Sequence, residues 1–236
     1  MNNKLVIFGY PRSGTKLLAD IYSKNGYHNF GEFLNIQSAE IVPSEFPYAK
    51  RMEIHKQKFI KNRNKENHQR GSTNHIYAEM MDRFNIYNRH SNISPSIMTV
   101  WPETFNTIPN LISKLEGRYF LCTRRKNKFE QFLSRLVTFY ECNYNGEVES
   151  TPVLVDMTDL TELYISFIRA ESLQDTIVSS GLGRFINFDD LIAGTFDLGF
   201  PYTITSNDQH INITQYIQNL DEVKLHICKL QNFMVV

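Results

Sequence analysis

The sequence is poor in cysteine and has no excess of either charge. Its three cysteines, Cys122, Cys142 and Cys228, lie far apart and form no Cys-x-x-Cys pair. This spacing argues against a disulfide framework and against a zinc cluster, and reduced thiols indicate a cytoplasmic protein. Because 25 basic residues balance 25 acidic ones, no overall field would recruit nucleic acid or an anionic membrane, and any anion site must be local.

Long apolar runs are missing as well. No stretch approaches the roughly 18 apolar residues of a transmembrane helix, and because the first apolar segment starts at residue 5 we expect no signal peptide. The 236 residues, of which 42% are hydrophobic, are enough for one sizeable packed core. We therefore expect a single domain over residues 1–236, with no membrane span.

Short apolar runs alternate with helical patterns along most of the chain. Runs typical of buried strands occupy residues 5–8, 97–101, 119–123 and 184–188. Helical patterns occupy residues 17–22, 76–87, 103–115 (with Gly117 as C-cap), 129–140, 159–179 (with Thr158 or Asp159 as N-cap) and 220–233. The alternation predicts an α/β fold with a mainly parallel central sheet covered by helices on both faces.

Residues 44–75 differ in character from the rest of the chain. Lys, Arg, His, Asn and Gln dominate there, with few apolar anchors. The segment predicts a long exposed helix with a loop around residues 70–72, which would form a basic helical insertion or lid. A simple solvated face is the plainer interpretation of the same composition.

The segment after the first apolar run has the composition of an anion-binding loop. The run breaks at Gly9, Pro11 and Gly14, and helical spacing resumes at Leu17. A strand, a tight loop and a helix N-terminus direct several backbone N–H groups and the positive end of a helix dipole at one anion. An ordinary strand-to-helix turn without a ligand is the alternative.

As a Walker A motif this loop is defective. Thr15 stands where the lysine belongs, and Lys16 comes one residue late, so it would point away from the phosphates. The cation inside the loop is Arg12, whose guanidinium can fork onto phosphate oxygens. Ser13, Gly14, Thr15 and Lys16 offer backbone amides, and Ser13 and Thr15 add hydroxyls.

A second cluster of cations follows the apolar run 119–123. Arg124, Arg125 and Lys126 lead through Asn127 into the helical pattern that carries Ser134. Taken alone, three cations at a strand end form a solvated rim, and a serine in a helix bonds to its own backbone. The loop at residues 9–15 gives a reason to expect a second anion site here.

These two segments resemble sulfotransferases that use 3′-phosphoadenosine-5′-phosphosulfate, in particular bacterial and viral members. Their 5′-phosphosulfate loop reads Pro-Arg-Ser-Gly-Thr/Ser directly after the first strand, as residues 11–15 do here, whereas Lys16 departs from the Thr or Ser usual in the family. The resemblance implies a P-loop-NTPase-like three-layer α/β fold. It also implies donor contacts from Arg12, Ser13, Gly14, Thr15 and Lys16.

The resemblance gives the second cluster a role. Family members hold the 3′-phosphate of the nucleotide with an arginine at a strand end and a serine on the next helix. The form Arg-x-Asn-x-x-x-Gln-x-x-Ser, found in several bacterial and viral members, fits residues 125–134. It implies that Arg125 and Ser134 bind this phosphate. The eukaryotic spacing would choose Lys126 instead, and strand length alone would choose Arg124.

Glu32 is the candidate general base. Residues 31–34 resemble the segment after the first helix that carries the catalytic carboxylate in bacterial sulfotransferases of the trehalose type. A base must lie within hydrogen-bond reach of the acceptor hydroxyl. A surface glutamate without a catalytic role is the alternative, and His28 and His55 are further candidates, since cytosolic sulfotransferases use histidine.

The expected activity is transfer of a sulfuryl group to a hydroxyl or amine of a small-molecule, carbohydrate or lipid acceptor, with adenosine 3′,5′-bisphosphate as product. Glu32, Arg12 and Lys16 would be the catalytic residues. No metal is expected, because arginine and amides carry the charge that Mg²⁺ carries in kinases. Some relatives dimerise, which leaves a homodimer open.

Two other functions compete with this one. A P-loop kinase or NTPase would need magnesium, a Walker A lysine and an acid where Thr123 and Arg124 stand. A nucleotide-binding protein without catalysis is the other, because Thr99 stands where many sulfotransferases carry a lysine.

Overall fold

Five strands form one parallel sheet in the part of the chain that is described. The computed structural model describes residues 4–32, 34, 81, 84–85, 95–108, 110–141, 152–204 and 213–234. The strands are β1 (Lys4–Gly9), β2 (His28–Asn29), β3 (Ser96–Val100), β4 (Tyr119–Arg124) and β5 (Gly183–Asn187). They lie in the order β2-β3-β1-β4-β5, and every pairing is parallel. The prediction of a parallel α/β sheet is confirmed.

Helices pack against both faces of this sheet. They are α1 (Thr15–Lys24), α2 (Pro102–Thr107), α3 (Leu111–Lys114), α4 (Lys128–Glu141), α5 (Met157–Ser179), α6 (Phe188–Ile192) and α7 (Leu220–Met234), with a 3₁₀ turn at Ile213–Tyr216. Leu5 and Ile7 of β1 pack with Leu18 of α1 on one face. Val6 and Phe8 point to the other face, where the core includes residues of α3 and α5. Strands buried on both faces explain why the runs are apolar at successive positions.

A further hydrophobic core lies among the later helices. It joins Phe132 of α4, Phe167 of α5 and Val223 of α7. Tyr10, the first residue after β1, belongs to the same core, with its ring centroid 5.0 Å from that of Phe167. Its hydroxyl also donates to the Leu163 carbonyl at 3.2 Å. This core therefore fixes α4 relative to the segment that follows β1.

The helix predicted over residues 103–115 is wrong in extent. The chain forms two short helices there, α2 and α3, with Ile108 in extended conformation and Asn110 in the left-handed region at φ 56°. Pro109 lies between them in the sequence. Proline lacks the N–H that a continuous helix needs and disfavours helical conformation at the preceding residue. The C-cap of α3 is Leu115, and Gly117 adopts a positive φ two residues further on.

Other boundaries differ from the expected ones by a few residues. Strands β3 and β5 each begin and end one residue earlier than predicted, a common uncertainty at element ends. Met81, Phe84 and Asn85 are helical, in agreement with the helix expected over residues 76–87, whose other residues lie outside the described part. The basic helix or lid expected over residues 44–75 lies outside it entirely. None of the described helices has both the length and the apolar character needed to cross a membrane.

The N-cap of α5 is Asp156 rather than Thr158 or Asp159. Its carboxylate accepts hydrogen bonds from the N–H groups of Thr158 at 2.7 Å and Asp159 at 3.3 Å. These bonds lower the pKa of Asp156 below its ordinary 3.8. Sequence patterns missed the cap because the helix begins at Met157, before its first clear polar-to-apolar repeat.

Replacing this cap should destabilise the protein in a way that depends on pH. Asp156→Ala should lower the unfolding temperature at pH 7. Asp156→Asn keeps a capping oxygen and should therefore retain most of the stability that the cap contributes. A lowered folded-state pKa contributes stability above the unfolded pKa and loses it as pH falls through the folded value. In thermal unfolding from pH 7 to pH 2, the difference between wild type and Asp156→Asn should stay constant near neutral pH and narrow as the pH falls below 3.8. A constant difference over that range would contradict the assignment.

Candidate functional site

The sheet has a topological switch point between β1 and β4. From β1 the chain crosses through α1 to β2 on one side of the sheet, whereas from β4 it continues through α4 and α5 to β5 on the other. In open α/β sheets, ligands bind in the crevice outside the carboxyl ends of two such strands. Gly9 and Thr123, at the carboxyl ends of β1 and β4, are register partners. Both cation-bearing segments leave the sheet at this crevice.

The loop after β1 is held tightly against β4. The buried hydroxyls of Ser13 and Thr123 share a hydrogen bond of 2.7 Å. A Cβ at Gly9 would collide with both of these oxygen atoms, so the close approach requires glycine. The hydroxyl that Ser13 was expected to offer a ligand is engaged with β4, and its backbone N–H remains as the group that the loop can present.

The backbone of the loop is strained at a non-glycine residue. Arg12 has φ 71°, in the left-handed region, and Gly14 has φ 87°. A non-glycine residue in this conformation costs about 1–3 kcal/mol and persists where its surroundings fix it. The strain at Arg12 therefore marks a residue whose position is determined by its contacts.

Helix α1 begins directly after this loop with an arrangement suited to an anion. Its N-cap is Gly14, and no side chain caps it among the described residues. The first turn has no acidic residue and contains the exposed Lys16 and the buried Thr15. The first backbone N–H groups of α1 thus face the crevice together with the positive end of the helix dipole. No carboxylate in the first turn of the helix opposes them.

A hydrogen bond joins the loop after β1 to helix α4. Arg12 Nε donates to Ser134 Oγ at 3.0 Å, although the two residues are 122 positions apart. Ser134 lies on α4 and is 6% exposed. Arg12 and Ser134 are therefore neighbours in one site.

Two of the three cations at the carboxyl end of β4, Arg124 and Lys126, are held by acidic residues. Arg124 lies with its guanidinium 3.5 Å from the Phe185 ring centroid and 3.9 Å from Asp175. Lys126 pairs with Asp190 at 2.5 Å, and this hydrogen bond raises the pKa of Lys126 above its usual value. Both side chains are thereby directed at partners on neighbouring elements.

Arg125 is placed differently. Its guanidinium lies 4.9 Å from the ring centroid of Phe188, and the same ring is what a Cβ at Gly14 would strike. The buried Nε of Arg125 has no hydrogen-bond partner among the described residues. Buried donors are nearly always paired, so an unsatisfied guanidinium nitrogen next to the loop fits the binding of an anion.

No family model and no curated protein matches this chain. Among the described residues, no three His, Cys, Asp or Glu side chains are grouped as they would be around a metal ion. At the crevice, Arg12 is bonded to Ser134 of α4, and Arg125 lies against the Phe188 ring, next to Gly14 at the start of α1. Chemically, the arrangement can hold two anionic groups of one ligand at neighbouring positions.

Glu32 lies at the edge of the sheet formed by the carboxyl ends of the strands, as the crevice does. It is buried at 5% exposure just beyond β2, where the N–H of Thr99 donates to the Gly31 carbonyl at 2.9 Å. One strand, β3, separates β2 from β1, which corresponds to about 10 Å between the outer two strands. A carboxylate is thus present at the carboxyl end of the sheet, beyond a strand that β3 separates from β1.

The alternative bases are placed less favourably or are not described. His28 pairs with Ser96 and therefore lies level with Lys4, at the amino end of β1. The loop begins after Gly9, about 16 Å further along the strand direction at roughly 3.3 Å per residue. The register thus favours Glu32 over His28. His55 lies outside the described residues.

Two buried glutamines at this site were not identified as functional from the sequence. Gln174 of α5 donates through Nε2 to the carbonyls of Phe8 at 3.2 Å and Thr123 at 3.0 Å, and so ties the ends of β1 and β4 together. Gln131 of α4 bridges the two segments that flank the crevice. Gln131 is the glutamine of the form Arg-x-Asn-x-x-x-Gln-x-x-Ser fitted to residues 125–134, but that match assigned it no role. The only sequence signal for Gln174 was a polar residue on a buried helix face.

Proposed function

We propose that the protein is a sulfotransferase with a P-loop-NTPase-like three-layer fold. It moves a sulfuryl group from 3′-phosphoadenosine-5′-phosphosulfate to a hydroxyl or amine of an acceptor. The observation that carries the proposal is the hydrogen bond from Arg12 Nε to Ser134 Oγ. It joins a loop suited to the 5′-phosphosulfate to a helix suited to the 3′-phosphate, which is the pair of sites that such a donor requires.

The residues present fit this donor at both ends. Arg12, the exposed Lys16 and the backbone amides at the start of α1 would hold the 5′-phosphosulfate. Arg125, with a buried Nε that lacks a partner among the described residues, would hold the 3′-phosphate together with Ser134. Two sites of this kind select a nucleotide that carries phosphate at both ends.

The reaction follows from this placement. The acceptor oxygen or nitrogen attacks sulfur in line, a bond forms between the two, and the bond from sulfur to the bridging oxygen breaks. Glu32 takes the proton of the acceptor. The negative charge left on the 5′-phosphate of the departing adenosine 3′,5′-bisphosphate is stabilised by Arg12, Lys16 and the loop amides.

The hydrogen bond between Ser13 and Thr123 favours this function over that of a P-loop kinase or NTPase. Thr123 stands at the strand end where a metal-dependent enzyme would use an acid, and its hydroxyl is 2.7 Å from the loop serine. A preference for ATP with Mg²⁺ over adenosine 3′,5′-bisphosphate would instead support the kinase. Tight binding of the bisphosphate without turnover on a broad panel of phenols, alcohols and amines would indicate a binding protein without catalysis.

Calorimetry on single-alanine variants of the three cations tests the proposal. Wild type should bind adenosine 3′,5′-bisphosphate, and Arg125→Ala should weaken this binding about tenfold to a hundredfold, the loss expected for a charge-assisted hydrogen bond to phosphate. Arg124→Ala and Lys126→Ala are matched controls, because these side chains pair with Asp175 and Asp190. We expect them to bind within about threefold of wild type, as exposed ion pairs contribute little.

Absence of binding to wild type would remove the basis of the proposed function. If Lys126→Ala or Arg124→Ala lost as much affinity as Arg125→Ala, the assignment of the 3′-phosphate to Arg125 would be wrong. Circular dichroism and thermal unfolding of each variant would show whether a loss of binding comes from a loss of folding.

A further inference from the structure

Gln131 lies between the two proposed phosphate sites. It is on α4, and its side chain is 0% exposed. Its Oε1 accepts a hydrogen bond of 3.1 Å from the backbone N–H of Arg125. Its Nε2 donates to the backbone carbonyl of Tyr10 at 3.4 Å. One amide thus connects the start of the loop that bears Arg12 to the backbone of the second arginine.

The two contacts together require a primary amide. A backbone N–H can only donate and a carbonyl can only accept, so the bridging side chain must present one acceptor and one donor. At this side-chain length glutamine does so without a charge. An ionised glutamate would accept from Arg125 N–H and repel the Tyr10 carbonyl, and methionine would fill the space with neither bond.

The helix that carries Gln131 is itself firmly placed. Asn127 accepts a hydrogen bond of 3.0 Å from the Glu130 N–H at the start of α4, and Phe132 and Leu136 pack in the core that also contains Tyr10. The amide therefore extends from a fixed support to two loops. Neither of its two partners is a side chain that would touch the nucleotide.

We propose that Gln131 is a positioning residue that fixes the spacing of the two phosphate sites and so couples the binding of the 5′- and 3′-phosphates of one nucleotide. The inference rests on the proposed function. Because one amide bonds both backbones, a shift at the Tyr10 carbonyl when the 5′-phosphate binds is transmitted to the N–H of Arg125, so each phosphate favours the placement that the other requires. Such coupling selects a bisphosphorylated nucleotide over either monophosphate.

A cycle of four ligands measures the coupling. Affinities are determined for adenosine, adenosine 5′-monophosphate, adenosine 3′-monophosphate and adenosine 3′,5′-bisphosphate. In wild type the bisphosphate should bind about tenfold more tightly than the two separate phosphate increments predict, within the usual range of coupling between sites. Gln131→Met, which conserves volume, should reduce this excess to about onefold to twofold.

Gln174→Met is the matched control. Gln174 is likewise buried, at 1% exposure, and its amide likewise bonds backbone atoms near the ends of β1 and β4, but its bonds go to the carbonyls of Phe8 and Thr123 and not to Arg125 N–H. It should lower the unfolding temperature as much as Gln131→Met does and keep the tenfold excess. If Gln131 contributed only to stability, Gln131→Met and Gln174→Met would show the same excess affinity for the bisphosphate.

The Gln131→Glu variant adds a readout based on pH. At neutral pH it should lack the coupling, because its carboxylate cannot donate to the Tyr10 carbonyl. Burial raises the pKa of a carboxyl group, and the protonated form has the O–H needed to donate. The excess should therefore return in part between pH 7 and pH 5, relative to wild type and to Gln131→Met at the same pH.

The outcomes separate the two proposals. If wild type binds none of the phosphorylated ligands, the proposed function fails. If wild type binds the bisphosphate but the increments are additive, or Gln131→Met keeps the excess, or Gln174→Met also loses it, the role of Gln131 is overturned and the proposed function stands. Should Gln131→Met fail to fold, the pH dependence of Gln131→Glu decides, and a flat profile counts against the inference.

Discussion

Arg12→Ala should lower the turnover of the proposed sulfuryl transfer by at least about a hundredfold. Removing one preorganised donor to a developing anion typically costs about 2.7–4 kcal/mol in the barrier, which corresponds to 10²–10³ in rate. Arg12 is the cation within the loop, and Ser134 holds its Nε at 3.0 Å. The guanidinium is thus oriented before the donor binds, which is the condition under which such a group stabilises charge most.

The conformation of Arg12 provides a control that separates catalysis from folding. At φ 71° its backbone is strained, and alanine inherits this strain whereas glycine does not. Arg12→Gly should therefore lose as much turnover as Arg12→Ala but keep a free energy of unfolding within about 1 kcal/mol of wild type. If Arg12 had only a structural role, activity would follow stability, and Arg12→Gly would be more active than Arg12→Ala.

The measurement is the release of adenosine 3′,5′-bisphosphate from the donor, with the best acceptor from a panel of phenols, alcohols and amines. Chemical unfolding of the same preparations gives the stability. A kcat close to that of wild type in either variant would refute the catalytic role of Arg12. If KM rose while kcat stayed unchanged, Arg12 would bind the ground state and the transition state equally and would not be catalytic.

Much of the fold could be predicted because its signals are local. The run at residues 5–8 lies within β1, and the glycine and proline breaks mark the turn into α1. Adjacent residues of β1 pack into opposite faces of the sheet, which is why the run is apolar throughout. The missed details, such as the cap at Asp156, depend on individual hydrogen bonds that a periodic pattern does not contain.

Among the three cations at the end of β4, the sequence favoured Arg125 only through its match to the form Arg-x-Asn-x-x-x-Gln-x-x-Ser. The ion pairs of the other two could not be predicted, because Asp175 and Asp190 come from other elements, 51 and 64 residues along the chain from their partners. The bridge through Gln131 likewise joins residues 121 positions apart. Pairings of this kind are set by how α4, α5 and β5 are arranged in space, and no local spacing encodes them.

Gly14→Ala should impair both stability and nucleotide binding. Gly14 has φ 87°, and a Cβ there would run into the ring of Phe188. The positive φ alone costs an alanine about 1 kcal/mol, and displacing a packed ring adds about 1–3 kcal/mol. The same ring lies 4.9 Å from the Arg125 guanidinium. Its displacement should therefore disturb both sides of the crevice and weaken binding of adenosine 3′,5′-bisphosphate more than tenfold.

Gly26→Ala isolates the cost of the backbone conformation. Gly26 has nearly the same φ, 86°, and a Cβ there meets nothing within 4 Å. It lies beyond the other end of α1, away from the crevice. This variant should lose about 1 kcal/mol in the free energy of unfolding and keep its affinity for the bisphosphate. Equal losses in the two glycine variants would show that contact with Phe188 is unimportant.

The double variant Gly14→Ala/Phe188→Ala tests the contact itself. If the alanine at position 14 acts by pushing on the Phe188 ring, removing the ring should cost less in the Gly14→Ala background than in wild type. The double variant should then lose less unfolding free energy than the two single variants lose together. The part of the Gly14→Ala loss that comes from φ should remain in the double variant. Because Phe188 also lies beside Arg125, affinity for adenosine 3′,5′-bisphosphate should not recover with stability. Strict additivity in stability, or a return of wild-type affinity, would contradict the proposed arrangement of loop, ring and arginine.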